Sequence, residues 1–188
     1  MAKHSPFHRN QVRIIAGTHR SRMIHFPAVD GLRPTADMVR EKIFNWLGQT
    51  FYGKTVLDLF SGSGVLGFEA ASRGAQKVVM IEKNHQIYTA LKQNVLNLNQ
   101  ISIQKDDAFH FLANNSIKFD CVFLDPPYAF HQWDILWQAL EPHLNQDAMI
   151  YVESDRILEI PENGSLHKAG KSGISHFAVW IYKKSTAE

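Results

Sequence analysis

The sequence predicts an α/β fold: a mostly parallel seven-stranded sheet with helices on both faces, an antiparallel strand at its C-terminal end, and a small N-terminal extension of one β-hairpin and one helix. Three observations carry this. From residue 54 onward, short apolar runs alternate with segments of helical periodicity. A glycine-rich loop joins the first of those runs to the first helix. The last two apolar runs are separated only by a glycine-bearing turn, which puts a hairpin at one edge of the sheet.

The elements follow in order. QVRIIAG (11–17) and RMIHFP (22–27) read as a hairpin that turns at Thr18-His19-Arg20-Ser21 and carries arginines. RPTADMVREKIFNWLG (33–48) reads as a helix, with Asp37 near its start, Gly48 as stop, and Val39, Ile43, Trp46 and Leu47 on one face. KTVLDLF (54–60) is a strand, and GVLGFEAASRG (64–74) a helix stopped by Gly74. KVVMIE (77–82) is a strand. The helix 84–99 starts at Asn84 and sets Ile87, Leu91, Val95 and Leu98 on one face. ISIQK (101–105) is a strand, DAFHFLANN (107–115) a short helix, FDCVFLD (119–125) a strand, and HQWDILWQALEPHL (131–144) a helix. AMIYVES (148–154) is a strand, and 165–173 with 175–184 form the closing hairpin. A chain of 188 residues, 45% of them hydrophobic, suits one domain with a full core, here an extension over 1–50 and a Rossmann-like unit over 51–188. No repeat or low-complexity segment is present.

The formal charge of +2 is uneven. Residues 1–54 hold nine Lys or Arg against three Asp or Glu, a net +6, leaving −4 for the rest. This asymmetry suggests a polyanion contact at the N-terminal end through Arg9, Arg13, Arg20 and Arg22. The first ten residues alone read as a solvated tail, whereas Arg13 to Arg22 lie in a segment that reads as folded. The single cysteine, Cys121, sits mid-strand, forms no internal disulfide and fits a reducing cytoplasm. No stretch is long enough to span a bilayer, and the N-terminus lacks the apolar segment of a signal peptide. The ten histidines show no metal-ligand spacing, so no metal is expected.

DLFSGSGVLG (58–67) matches G-x-G-x-x-G at Gly62, Gly64 and Gly67, between a strand and a helix, and Glu82 ends the next strand. This is the layout of a nucleotide-binding crevice. Glu82 is placed to accept hydrogen bonds from both hydroxyls of a ribose. The glycines fit a nicotinamide dinucleotide or S-adenosylmethionine (SAM). Asp58 favours SAM, whose ammonium and sulfonium cations suit a carboxylate low in the loop; read plainly, it is a strand-end acid capping that loop. Asp106 and Asp107 close the third strand of the α/β unit. Asp107 can reach an adenine amine, with Ala108 and Phe109 packing beside the ring, and it also suits a helix N-cap. The candidate cofactor contacts are therefore Asp58, Phe60, Ser61, Gly62, Ser63, Gly64, Glu82, Lys83, Asp107 and Ala108.

LDPPY places Asp125 at the end of the fourth strand, where the ligand crevice of such a sheet lies. An exocyclic amine on a nucleobase is a poor nucleophile because its lone pair is conjugated with the ring. Two acceptors on its hydrogens hold the nitrogen nearer to tetrahedral, and Asp125 and the carbonyl of Pro126 can be those acceptors. Pro126 and Pro127 fix the chain direction. Tyr128 can stack on a base that has left its helix. A strand ending in a Pro-rich turn is common by itself; the combination with Asp58, the glycine loop and Glu82 is what points to transfer onto an amine.

With these residues placed, the chain resembles the RsmD family, the bacterial 16S ribosomal RNA guanine-N2 methyltransferases. The resemblance covers RIIAGTHRSR, GLRPTADMVREKIFNWL, LDLFSGSGVLGFEAASRGA, LDPPY and AMIYVES, nearly the whole length. It implies a SAM-dependent Rossmann-like methyltransferase fold. It implies that Arg33, Pro34 and Thr35 lie over the cofactor, that Asp125 to Tyr128 grip a guanine amino group, and that the N-terminal extension holds RNA. The implied partner is 16S rRNA within an assembled or assembling 30S subunit, and the expected enzyme is a cytoplasmic monomer that meets no membrane. Relatives vary at the position of Asp107 and sometimes carry Phe at that of Tyr128. A DNA adenine-N6 methyltransferase shares Asp-Pro-Pro-Tyr but usually needs an added target-reading domain. A protein-glutamine methyltransferase usually shows Asn-Pro-Pro-Tyr. A nicotinamide oxidoreductase leaves Asp-Pro-Pro-Tyr unexplained, and a non-catalytic RNA-binding module leaves the cofactor site unexplained.

Overall fold

The main sheet owes its depth to strands that are apolar on both faces. Leu57, Val79, Val122 and Ile150 are fully buried in four neighbouring strands, as a parallel sheet covered on both sides requires. The computed structural model describes residues 10–32, 34–95, 98–128 and 130–184; Arg9 and Arg33 lie outside them. A two-stranded ribbon, β1 (Gln11–Arg13) and β2 (Met23–His25), comes first, then α1 (Asp37–Leu47). The α/β unit runs β3 (Thr55–Asp58), α2 (Val65–Ser72), β4 (Lys77–Ile81), α3 (His85–Asn94), β5 (Ile101–Gln104), α4 (Ala108–Asn114), β6 (Phe119–Leu124), α5 (Trp133–Leu140), β7 (Leu144–Ser154), β8 (Gly164–Ser172) and β9 (Ser175–Tyr182). The sheet has seven strands in the order β5-β4-β3-β6-β7-β9-β8. Strands β3 to β7 pair in parallel, while β9 is antiparallel to both β7 and β8.

Strand alternation divides the core. Val56, Val78, Cys121, Phe123 and Tyr151 face α1, α2, α3 and the N-terminal ribbon. Leu57, Val79, Val122, Ile150 and Val152 face α4 and α5. No helix among the described residues is long and apolar enough to cross a membrane.

The extension is stitched to the main unit by polar groups. Glu69, fully buried in the apolar helix α2, accepts from the backbone N–H groups of Ile15 (2.9 Å) and Ala16 (3.0 Å), and pairs with buried Arg40 (3.4 Å) and with Arg73 (2.9 Å). Ser72 holds Thr18 and His19, and Asn94 exchanges hydrogen bonds with the backbone of His25.

Several boundaries differ from the sequence expectation. The ribbon strands are three residues each, because residues 14–22 hydrogen-bond to α2 and α3 as well as to each other. The buried stripe of α1 is Arg40, Ile43, Phe44 and Leu47, with Val39 and Trp46 only partly covered. Arg40 can be buried because Glu69 and Asp37 neutralise it. Helix α5 ends at Leu140, and a 3-10 turn over Glu141–His143 leads into a β7 that starts at Leu144 rather than 148.

Candidate active site

Three strand ends build the cofactor side. β3 ends at Asp58, which is 3% exposed. The chain then turns through Leu59 and Phe60 into the glycine loop. The Ser61 N–H donates to the Ile81 carbonyl at 3.0 Å, and the Ser61 hydroxyl donates to the Asp58 carbonyl at 3.0 Å. Gly64 begins α2 in the left-handed region, φ +78°, and a Cβ there would lie 2.4 Å from a Leu91 methyl. At the end of β4, Glu82 accepts the Gly62 N–H (3.0 Å) on one oxygen and the Asn84 N–H (2.7 Å) on the other. Each oxygen keeps a lone pair for a ligand hydroxyl. Ser63 is buried, Phe60 half-buried and Lys83 exposed.

Asp58 accepts the Gly67 N–H at 3.1 Å. A Cβ on Gly67 would lie 3.0 Å from that carboxylate, so only glycine lets α2 come this close. Burial pushes the Asp58 carboxyl up to about 7; the Gly67 hydrogen bond works against this, and the charge of Glu82 adds to it. A buried carboxylate short of donors fits a cationic ligand such as the ammonium group of SAM. Leu32 lies over the loop, 3.2 Å from where a Gly62 Cβ would sit. The Arg40 side chain donates to the Thr35 carbonyl at 3.1 Å and so fixes the Pro34–Thr35 segment ahead of α1. Asp107 is the N-cap of α4, its carboxylate accepting the Phe109 N–H at 2.9 Å; Ala108 is buried behind it.

Asp125 follows β6 directly and opens a cleft walled by Pro126, Pro127 and Tyr128, by Phe130 and Trp133, and by Glu153 to Asp155 with Ser175. Loss of water around the Asp125 carboxyl, then the charges of Glu153 and Asp58, hold it well above the usual carboxylate range. Tyr128 is 65% exposed on the rim. An aromatic seam joins this cleft to the cofactor side. Phe130 meets Phe60 edge-on at 5.7 Å and Trp133 at 5.2 Å, and stacks over Phe109 at 6.4 Å. The Trp133 Nε1–H is buried without an acceptor among the described residues.

The sites expected from sequence thus fall into two groups. Asp58, the loop residues Phe60 to Gly64, and Glu82 cluster at the ends of β3 and β4. Asp125 to Tyr128 stand beside them at the end of β6, which pairs with β3 through Asp58 and Phe123. The arginines lie apart, on the ribbon. Arg20 is exposed, Arg13 pairs with Asp37 at 3.5 Å, and Arg22 donates to the Asn94 carbonyl at 2.5 Å. Sequence reasoning missed Glu153, Phe130 and Trp133. The aromatic run just after Asp-Pro-Pro-Tyr was the available signal for the last two.

The strand order, the glycine loop tied to Glu82 and the acid at the end of β6 define a SAM-dependent methyltransferase of the Rossmann-like class. The comparisons narrow the class. A family model described as "Conserved hypothetical protein 95" matches residues 12–181. "Ribosomal RNA small subunit methyltransferase D" of Haemophilus influenzae is 38% identical over 186 residues, covering 94% of this chain and 96% of that protein. Its Escherichia coli counterpart is 37% identical over 170 residues, covering 87% and 86%. The solved structure of yhhF from Escherichia coli superposes with a TM-score of 0.84 at 35% identity, over 93% of this chain and 99% of that one. The chain belongs to this family, the RsmD family.

Proposed function

We propose that the protein methylates the exocyclic N2 amine of a guanine in 16S rRNA of the small ribosomal subunit, with SAM as donor. The observation that carries this reading is Asp125, held at the end of β6 next to Asp58 and the glycine loop and open to a cleft rimmed by Tyr128. The names of the two rRNA methyltransferases above support the substrate class.

SAM supplies an electrophilic methyl group on a sulfonium. Asp58 would hold its ammonium group and Glu82 its ribose hydroxyls, with Pro34 and Thr35 closing over it and Asp107 and Ala108 at the adenine. Asp125 and the Pro126 carbonyl take the two hydrogens of the guanine amine and hold the nitrogen toward tetrahedral. As the N–C bond forms and the C–S bond breaks, the nitrogen becomes cationic. The Asp125 carboxylate stabilises that charge and is placed to receive the departing proton. Tyr128 stacks on the flipped base. The ribbon arginines meet RNA phosphates, so residues 1–50 serve the catalytic unit 51–188 within one domain.

The test is transfer of labelled methyl to small subunits lacking the modification, to their naked rRNA and to duplex DNA, with the labelled nucleoside identified. N2-methylguanosine from rRNA is expected. Label found only in DNA, as N6-methyladenine, would leave the chemistry standing and overturn the substrate.

A further inference from the structure

Glu153 lines the same cleft as Asp125. The β6–β7 ladder pairs Phe123 with Tyr151 and Leu124 with Val152. Asp125 follows Leu124 directly and Glu153 follows Val152 within β7, so the two acids leave the last printed rung together. Two-residue periodicity along β7 turns Glu153 to the face of Tyr151, and both acids border the cleft. Burial raises the proton affinity of Asp125, and the charge of Glu153 adds to it. Glu153 is also oriented from below: the hydroxyl of fully buried Tyr151 donates to one of its oxygens at 2.6 Å. The cleft therefore presents two neighbouring carboxylates where one suffices to grip an amine.

We propose that Glu153 reads the Watson–Crick edge of the target base by accepting the guanine N1–H, next to the amine held by Asp125. This inference rests on the guanine-N2 reading above and adds what selects the base. Guanine offers N1–H and N2–H side by side, so two adjacent acceptors match it. Adenine carries a bare lone pair at N1, which a carboxylate repels. A site built to hydrogen-bond a donor rejects the analogue that lacks it, because its own buried group is left unpaired. The simpler role, a cap for the Tyr151 hydroxyl, needs only an acceptor oxygen and no charge.

2-Aminopurine separates these roles, because it keeps the N2 amine and loses N1–H. Small subunits are reconstituted with rRNA carrying guanine or 2-aminopurine at the methylated position, and kcat/KM is measured for each. The wild-type protein is expected to favour guanine by about 10- to 100-fold, the range for one hydrogen bond to a charged group. Glu153→Gln still caps Tyr151 through its amide oxygen but turns an N–H donor toward guanine N1–H. It is expected to shrink that preference by about tenfold or more, with SAM affinity and melting temperature kept. A wild-type ratio near one overturns the inference without any variant. An unchanged ratio in Glu153→Gln also overturns it, and both results leave guanine-N2 transfer intact. Absence of N2-methylguanosine with the wild type would instead overturn the proposed function, and the inference with it.

Discussion

If Asp58 holds the ammonium group of SAM, as proposed, SAM binding is linked to protonation of this buried carboxyl. Its carboxyl is raised from 3.8 to about 7, first by burial. In the free protein it is therefore about nine-tenths ionised at about pH 8, one-tenth at about pH 6 and one-hundredth at about pH 5. If the ammonium of SAM requires the carboxylate, the Kd rises about tenfold between the first two values and about tenfold again by the third, roughly 1.4 kcal/mol per step. Calorimetry at about pH 6, in buffers of different ionisation enthalpy, should show about one proton released per SAM bound, falling toward zero at about pH 8. Asp58→Asn should bind SAM more weakly and with no such slope. The ligand-free protein should show the opposite dependence. A raised carboxyl favours folding fully below its unfolded value near 3.8, and that contribution is lost as pH rises through about 7. The loss is about 4 kcal/mol, and Asp58→Asn should recover most of it in urea unfolding at alkaline pH. A pH-independent Kd, or an Asn variant that binds SAM like the wild type, would refute the assignment of Asp58.

Three further outcomes follow from the same geometry. Arg20→Ala should weaken RNA binding and lower the salt slope by about one, with SAM binding unchanged; an unaltered slope would return this exposed arginine to the solvated surface. Glu69→Ala leaves Arg40 buried with Asp37 as its remaining carboxylate, and should cost about 3–5 kcal/mol in denaturant unfolding. Gly17→Ala should loosen the ribbon, since a Cβ there would lie 1.9 Å from the Ser72 carbonyl at φ +82°; limited proteolysis between residues 14 and 22 should then become faster.

The parallel sheet, its order of elements and most of the candidate site were legible in the sequence because they are local. Asp58 ends an apolar strand, Glu82 and Asp125 each follow one directly, the glycines lie in the loop just beyond β3, and strand ends are where such a sheet binds its ligands. Asn84 announced the start of α3 and does accept the N–H groups of Gln86 and Ile87. What stayed hidden depends on partners far along the chain. Arg40 breaks the apolar periodicity of α1, and its burial needs Glu69, 29 residues away, as well as nearby Asp37. Glu69 itself stood out only as an acid inside VLGFEAAS. The start of β7 was masked by Asn145, Gln146 and Asp147, polar residues in a strand; Asn145 is held there by Asp120, whose other oxygen takes the Thr55 N–H. Glu153 was quoted within AMIYVES, yet its place beside Asp125 comes from the β6–β7 register, which no local pattern encodes.

The central claim is that Asp125 grips the accepting amine and does not hold the cofactor. Single-turnover methyl transfer by Asp125→Ala, with SAM affinity measured on the same preparation, tests it most directly. SAM binding close to wild type with transfer abolished is the expected result. Transfer at a rate near that of the wild type would contradict it.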